Sequence, residues 1–228
     1  ITLLAPPVLE KQNDQRPLVH DPGAIEEFRN EPQRDFAQAD NCIAMQQALA
    51  TVRSQLNREW KSSIGKQGLM GPLLESRCPG QPDHVVGRLS SATLPDVERA
   101  VRAAIQGWKF WRGTTAERRA DILCAAASIM RTRRHELAAW EIFECGKPWR
   151  EADADIAEAI DFLEFYAADW RRLAPLKRLG QEPGELNQRL YSPRGVTAVI
   201  APWNFPLAIP TGMVAAALVT GNPVIFKP

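Results

Sequence analysis

The middle of the chain, from residue 93 to residue 173, has apolar residues at helical spacing. Thr93-Leu94-Pro95-Asp96 has the residue types of a capping box, and a helix with one buried face is predicted after it. That face consists of Val97, Val101, Ile105 and Trp108. A second capping box, Thr114-Thr115-Ala116-Glu117, predicts a helix that continues to Phe143, with or without a break. Gly146 and Pro148 are typical of its end.

A third helix is predicted from Arg150 to Leu173. Its buried face consists of Ile156, Ile160, Leu163, Ala167 and Trp170. Its polar side carries Glu151, Asp155, Glu158 and Asp161. Earlier in the chain, the pattern from Asp40 to about Arg58 predicts a helix, and the glycines and prolines between Ser62 and Leu89 predict short strands and turns. In that first helix, Ile43, Gln47 and Ala50 lie in one stripe.

The end of the chain has the pattern of a strand, a helix and a second strand. Gly195–Ala201 is rich in β-branched residues, which is typical of a parallel strand buried on both faces. Pro206–Thr220 predicts an apolar helix that Gly221-Asn222 ends, and Pro223–Phe226 predicts the next strand. Before this unit, Gly180–Pro193 predicts an extended hairpin or loop that projects from the body. In open α/β sheets ligands bind beyond the carboxyl ends of strands, so the segments after both strands are candidate sites.

Composition and charge narrow the class of protein. The chain has 28 basic and 27 acidic residues, interspersed, so no nucleic-acid partner is expected. No apolar run approaches the roughly 18 residues of a membrane-spanning helix. The 4 cysteines form no C-x-x-C pair and the 3 histidines lie far apart, so no metal site is expected. These features favour a cytoplasmic protein with reduced thiols. Residues 1–35 contain repeated prolines and a Pro-Gly pair, which predicts a linker or arm.

Asn204 lies between Pro202 and Pro206, directly after the first strand of the predicted unit. A carboxamide at the carboxyl end of a parallel strand is a candidate active-site group. The alternative interpretation is an N-cap of the following helix, a position that asparagine favours. No G-x-G-x-x-G turn or P-loop joins a strand to a helix here, so a dinucleotide would bind without the usual phosphate loop.

Several segments resemble a known family. Ala201–Pro206, followed by Gly212–Leu218, Gly221-Asn222 and Phe226-Lys227-Pro228, resembles in order and spacing the first strand-helix-strand unit of the aldehyde dehydrogenase superfamily. Glu144–Phe162, which contains Gly-Lys-Pro-Trp-Arg-Glu-Ala, is similar to the glutamate-γ-semialdehyde (1-pyrroline-5-carboxylate) dehydrogenase branch. The segment Phe-Arg-Asn-Glu-Pro at residues 28–32 is similar to the start of that branch's dehydrogenase module.

The resemblance covers Phe28 to Pro228 and implies an α/β fold. Residues 36–228 would be the N-terminal part of a Rossmann-type coenzyme-binding domain with a parallel sheet, helices and a projecting β-hairpin, the catalytic domain lying outside the chain. The hairpin, residues 178–194, would serve the assembly of a homo-oligomer. Residues 1–27 resemble a linker tail, as in a bifunctional proline-utilisation enzyme. FAD would be a cofactor only of the proline dehydrogenase domain of such a parent.

The resemblance also implies roles for eight residues. Asn204 matches the oxyanion asparagine, whose neutral N–H stabilises the alkoxide formed when a thiolate adds to an aldehyde. Phe205 matches an aromatic ring that packs on the aliphatic part of the substrate, and its alternative is core packing. Glu158 matches an acidic residue near the substrate's amino group, and its alternative is a solvated helix face. Lys227 matches a lysine on the adenosine ribose of NAD, and its alternative is a lysine that ends a buried strand. The strand end that would line the coenzyme cleft consists of Ile200, Ala201, Pro202 and Trp203.

The family reaction needs a cysteine nucleophile and a glutamate general base, and both are expected beyond Pro228. Cys145 is not expected to replace the nucleophile, because it lies at the carboxyl end of a predicted helix, where the dipole disfavours a thiolate. We therefore expect a full-length enzyme that oxidises L-glutamate γ-semialdehyde to L-glutamate with NAD in proline catabolism, and no turnover by this chain alone. The alternatives are another aldehyde substrate, or a non-catalytic assembly module.

Overall fold

The computed structural model describes residues 28–69, 71–180 and 182–228. Its helices are α1 (Ala39–Arg53), α2 (Leu94–Trp111), α3 (Ala116–Thr132), α4 (Arg134–Cys145), α5 (Trp149–Leu173) and α6 (Ala208–Val219). Its strands are β1 (Arg58–Trp60), β2 (Ser63–Ile64), β3 (Gln67–Gly68), β4 (Leu73–Cys78), β5 (Gln81–Ser90), β6 (Lys177–Arg178), β7 (Gln188–Arg189), β8 (Thr197–Ile200) and β9 (Val224–Lys227). No helix within these residues is long and apolar enough to cross a membrane.

The strands form small sheets. β5 pairs with β1 in parallel and with β4 in antiparallel orientation, while β2–β3 and β6–β7 are antiparallel pairs. β8 and β9 are parallel neighbours joined through α6, as the strand-helix-strand pattern predicts. The predicted α/β class with parallel strands is confirmed, and so is the hairpin, formed by β6 and β7.

Helices α3, α5 and α6 pack together and form the main core. All five residues predicted for the inner face of α5 are buried. The 25-residue length and steady apolar spacing of α5 explain this agreement, because a long amphipathic stripe has one low-energy orientation against its neighbours. The predicted polar side of α5 is wrong at one position, because Asp155 is buried.

The start of α2 is confirmed, since the Thr93 backbone N–H and hydroxyl both donate to Asp96 Oδ2, at 2.9 and 2.8 Å. Its predicted buried face is wrong. Val97, Val101 and Ile105 are 49%, 37% and 48% exposed. In the described part of the chain, α2 packs mainly on the short strands β2 and β9, which are too small to cover a helix face.

The predicted stripe of α1 is wrong as well. Ile43 is half exposed, and the helix instead buries Met45 and Val52 against α4. At the start of α3, the N-cap is Thr115, whose Oγ1 accepts from the Arg118 N–H at 3.2 Å, one residue later than the predicted box. The break allowed for in the long second helix is real and separates α3 from α4 at Arg133.

The described part of the predicted arm packs on α5. The Glu31 N–H donates to Asp161 Oδ1 at 2.7 Å, and the Arg34 N–H donates to Asp153 Oδ2 at 2.8 Å. Asp153 also forms a buried ion pair with Arg134, at 2.6 Å. Residues 28–36 are therefore fixed against the helical core, while residues 1–27 of the predicted arm lie outside the described residues.

The β8–α6–β9 unit carries the predicted site segments at one end. Asn222 fixes the approach to β8, because its Oδ1 accepts from the backbone N–H groups of Arg194 and Gly195, at 2.6 and 2.9 Å. The prediction that β8 is buried on both faces is wrong: Val199 is buried but Ile200 is 66% exposed. The reason is that β8 and β9 form a two-stranded sheet in the described residues, and α6 covers one of its faces.

Candidate active site

A cavity of about 380 Å³ lies between the end of α4, the first half of α5 and the turn that follows β8. It is lined by Cys145, Gly146, Lys147, Pro148, Glu151, Ala154, Asp155, Glu158, Trp203, Asn204 and Phe205. The structure thus brings Glu158, which is more than 40 positions away along the chain, to the same cavity as the adjacent Asn204 and Phe205. Trp203, which was predicted to line the coenzyme cleft, is also part of its wall.

Asn204 does not cap α6. The N-cap residue is Leu207, and the first helical N–H, that of Ala208, donates instead to Asp155 Oδ1 at 3.1 Å. No protein group within the described residues forms a hydrogen bond with the Asn204 side chain, which is exposed at the cavity. The capping interpretation is therefore wrong, and the carboxamide N–H is available to a ligand.

Phe205 and Glu158 both line the cavity. Phe205 is 39% exposed, so within the described residues it is not a core residue. Glu158 is exposed on α5. Both orientations allow contact with a bound molecule, and the roles of the two residues remain predictions.

Lys147 occupies the turn between α4 and α5 and lines the cavity. Its Nζ lies 3.0 Å from Asp155 Oδ2, 3.5 Å from Glu141 Oε2 and 4.6 Å from the centroid of the Phe205 ring. The side chains of Lys147, Glu141 and Asp155 are 11%, 6% and 0% exposed. One ammonium group is therefore held among two buried carboxyl groups and an aromatic face.

Burial changes the protonation of Glu141. Burial, followed by the neighbouring Asp155 carboxylate, raises the pKa of Glu141 to about 9. The Glu141 oxygens lie beyond hydrogen-bond geometry from Lys147, whereas Asp155 accepts from both Lys147 and the Ala208 N–H. At neutral pH Glu141 is therefore protonated and neutral, and the remaining charges are those of the Lys147–Asp155 ion pair. A buried group of side chains without net charge costs less free energy of desolvation than one with an unpaired charge.

Cys145 is the thiol in the cavity wall. Burial, together with the nearby Glu144 and Glu141 carboxyls, raises its pKa to about 11. The residue ends α4, and Gly146 follows with a φ of 68°, the left-handed conformation that glycine adopts most readily. Cys145 is therefore a thiol at neutral pH, in agreement with the expectation that it is not the nucleophile.

The predicted coenzyme residues lie together at the carboxyl ends of β8 and β9. Ile200 and Lys227 are register partners in the parallel pair. The chain leaves β8 through Ala201 and Pro202 to Trp203, which is 81% exposed. This edge offers an exposed apolar strand end beside a cation, and no group of three or more metal-binding side chains occurs within the described residues.

Sequence reasoning missed the Glu141–Lys147–Asp155 cluster. Because Asp155 is charged, the sequence predicts it on the polar, exposed side of its helix. Lys147 is noticeable in the sequence only as part of the Gly-Lys-Pro-Trp-Arg-Glu-Ala segment. The one available signal was spacing: Asp155 lies three residues after Ala152 and four before Ala159, which places it on the helix face that carries these two alanines.

A fold with parallel strands joined through a helix, and a cavity that presents a free carboxamide at the end of the first strand, is typical of enzymes that act on small carbonyl substrates. The Aldehyde dehydrogenase family matches residues 70–228. The chain belongs to the aldehyde dehydrogenase family.

Similar relatives carry one particular name. The chain is 42% identical over 205 residues to 1-pyrroline-5-carboxylate dehydrogenase 1 of Halalkalibacterium halodurans and 44% identical over 205 residues to 1-pyrroline-5-carboxylate dehydrogenase of Geobacillus kaustophilus. Both matches cover 90% of this chain and 40% of the relative. The chain therefore spans about two fifths of the length of these curated relatives.

Solved structures agree with these matches. The 1-pyrroline-5-carboxylate dehydrogenase from Thermus with bound NAD has a TM-score of 0.85 and 41% identity, over 90% of this chain and 40% of that one. Proline utilization A from Bdellovibrio bacteriovorus has a TM-score of 0.86 and 44% identity, over 91% of this chain and 21% of that one.

Proposed function

We propose that this chain is the N-terminal part of an NAD-dependent dehydrogenase that oxidises L-glutamate γ-semialdehyde to L-glutamate in proline catabolism. The observation that carries the proposal is the cavity in which Asn204, Phe205 and Glu158 meet. The relatives named 1-pyrroline-5-carboxylate dehydrogenase, at 42% and 44% identity, support it.

The cavity suits this substrate chemically. The semialdehyde has a carbonyl at one end, an ammonium group at the other and methylene carbons between them. Asn204 donates an N–H to the oxygen that becomes negative when a nucleophile adds, which lowers the barrier without offering a proton to a thiolate. Glu158 attracts the ammonium group, and the exposed ring of Phe205 covers the methylene carbons.

NAD would bind at the adjoining edge of the β8–β9 sheet. Ile200 and Lys227 lie side by side there, and the segment from Ala201 to Trp203 continues along the cleft. An exposed apolar strand end next to an ammonium group fits a ribose and its flat neighbouring rings. When bound, NAD supplies the acceptor for the hydride that leaves the substrate. The relative from Thermus, solved with NAD, supports this assignment.

The full-length protein is proposed to be a cytoplasmic homo-oligomer that associates through residues 178–194. Three leucines on or beside this hairpin, Leu179, Leu186 and Leu190, are 61%, 68% and 59% exposed. Exposed apolar side chains on a projecting hairpin favour association. A variant with all three changed to serine should sediment as a smaller species in analytical ultracentrifugation; an unchanged sedimentation coefficient would contradict the assembly role.

The test of the function is NAD reduction by the full-length protein with pyrroline-5-carboxylate, which is in equilibrium with the semialdehyde. Benzaldehyde, which lacks the ammonium group, serves as the comparison substrate. We expect the ratio of kcat/KM values to favour pyrroline-5-carboxylate, and Glu158→Gln to reduce that ratio while leaving benzaldehyde oxidation unchanged. Intact protein that ignores pyrroline-5-carboxylate but oxidises benzaldehyde would overturn the substrate assignment.

A further inference from the structure

Lys147 contacts two residues of the cavity wall directly, Phe205 and Asp155. Its ammonium lies on the Phe205 ring face, 4.6 Å from the centroid, and 3.0 Å from Asp155 Oδ2. The second oxygen of the same carboxylate accepts from the Ala208 N–H at 3.1 Å. Ala208 begins α6, and the turn that carries Asn204 and Phe205 immediately precedes it. Lys147 therefore contacts one end of this turn directly and holds its other end through Asp155.

The burial of these groups makes the contacts strong. A cation is attracted to an aromatic face by the ring quadrupole, and the attraction grows where water is excluded. The Lys147 side chain is 11% exposed and the Asp155 side chain is fully buried, so the Lys147–Asp155 contact is shielded from solvent, while Phe205 stays partly exposed on its other side. The turn itself has little other support: Trp203, Asn204 and Phe205 are exposed, and no group in the described residues forms a hydrogen bond with the Asn204 side chain.

We infer that Lys147 is a positioning residue for aldehyde oxidation, which fixes the Asn204–Phe205 turn by holding the Phe205 ring and the Asp155 carboxylate that binds the start of α6. Lys147 does not touch the reacting atoms. It sets the place of the carboxamide that does. This inference rests on the proposed function only in that the cavity takes an aldehyde.

Lys147→Met tests the inference in the full-length protein, because it removes the ammonium and keeps most of the side-chain length. A displacement of about 1 Å at a catalytic group can cost about 10²-fold in rate. We expect kcat/KM for the aldehyde to fall by roughly 10- to 100-fold. The Kd for NAD should stay within about 2-fold, because the strand ends that would bind it are not in contact with Lys147. Lys147→Arg keeps a cation and should recover most of the loss.

A double-mutant cycle with Phe205→Leu separates positioning from general stability. If Lys147 acts through the Phe205 turn, Lys147→Met should cost less than about 3-fold in a protein that already carries Phe205→Leu. Arg134→Met is the matched control, because it also leaves a buried aspartate of α5, Asp153, without its cation, but away from the cavity. It should lower the unfolding midpoint and leave kcat/KM per folded enzyme within about 2- to 3-fold.

Two results would overturn the inference. The first is an unchanged kcat/KM in Lys147→Met. The second is a double variant whose fold-loss in kcat/KM equals the product of the losses in Lys147→Met and Phe205→Leu, because independent effects multiply. If Lys147→Met fails to fold, Lys147→Gln takes its place in the cycle with Phe205→Leu, because glutamine also lacks the cation but can still donate a hydrogen bond to Asp155. Failure of the proposed function looks different, since the wild-type protein would then not oxidise pyrroline-5-carboxylate. In that case the same comparison proceeds with the aldehyde that the wild type does oxidise.

Discussion

Glu141 couples the stability of the protein to pH. Its pKa in the folded state is raised from 4.5 to about 9, chiefly by burial. Below pH 4.5 both folded and unfolded states carry the proton. As the pH rises from 4.5 to about 9, the unfolded state loses its proton and the folded state keeps it, so the free energy of unfolding falls. At pH 7 this amounts to as much as about 3 kcal/mol, at 1.36 kcal/mol per pKa unit.

Glu141→Gln should therefore raise the thermal unfolding midpoint of the full-length protein at pH 8 and have little effect at pH 5. The amide keeps the size of a protonated carboxyl group and does not titrate. Differential scanning calorimetry between pH 5 and pH 9 measures the effect. Glu144→Gln is the control, since Glu144 is exposed on the same helix. If the difference in unfolding midpoint between Glu141→Gln and the wild type were the same at every pH in this range, the raised pKa of Glu141 would be contradicted.

Asn204→Ala should reduce kcat for aldehyde oxidation by about 10²- to 10³-fold, because one oxyanion donor contributes about 2.7 to 4 kcal/mol to the barrier. The unfolding midpoint should change little, since the carboxamide has no hydrogen-bond partner in the described residues. Steady-state kinetics and calorimetry on the same preparation provide both values. A loss of kcat below about 3-fold would remove Asn204 from the reaction.

The residues of the cavity differ in how far sequence could predict them. Asn204, Phe205 and Glu158 belong to segments that resemble a family, so their place at one site could be expected from the sequence. Lys147 and Asp155 become partners only because the turn at Gly146 brings the end of α4 back against α5. Residue types alone assign a lysine and an aspartate to the surface, and only the packing shows that each has the other as its buried partner.

At the scale of elements, the close packing of α5 on α6 depends on Gly212. A Cβ at this position would lie 3.0 Å from the Phe162 ring, closer than carbon atoms normally approach. Gly212→Ala should therefore destabilise the full-length protein by about 1 kcal/mol or more, since the clash outweighs the gain in helix propensity.

Gly107→Ala is the matched control for this prediction, because Gly107 lies inside α2 with open space around its added Cβ. It should stabilise the protein by up to about 1 kcal/mol. Urea denaturation of both variants gives the comparison. Equal changes in the free energy of unfolding for the two variants would show that the Phe162 ring moves to accept the new Cβ without destabilising the protein.

The limits of prediction at this scale come from packing partners. Spacing predicted α5 and its buried face, because its stripe is long and meets α3 and α6. The same kind of spacing predicted a buried face for α2, which is exposed in the described part of the chain. Periodicity shows which side of a helix is apolar, but the element that covers it is set by residues elsewhere in the chain.

At the scale of the whole molecule, the described residues form the cavity that is proposed to be one part of an active site. Asn204, Phe205 and Glu158 share this cavity with Cys145, whose raised pKa leaves it as a thiol. We therefore expect no NAD reduction when residues 1–228 are expressed alone, and turnover when the full-length protein is assayed under the same conditions. Absorbance at 340 nm follows both. Measurable turnover by the shorter chain would show that it contains a nucleophile of its own.

The contact between Asp155 and the start of α6 has an electrostatic consequence for the cavity. The first turn of a helix carries about half a positive charge, which in many enzymes attracts a phosphate or a carboxylate. Here a buried carboxylate of the protein already lies against the Ala208 N–H. Inorganic anions should find no attraction at this point, and sulfate should be a poor competitor of the aldehyde. Under the proposed function, the Asn204 amide would therefore stabilise the alkoxide without help from the dipole of α6, which Asp155 already offsets.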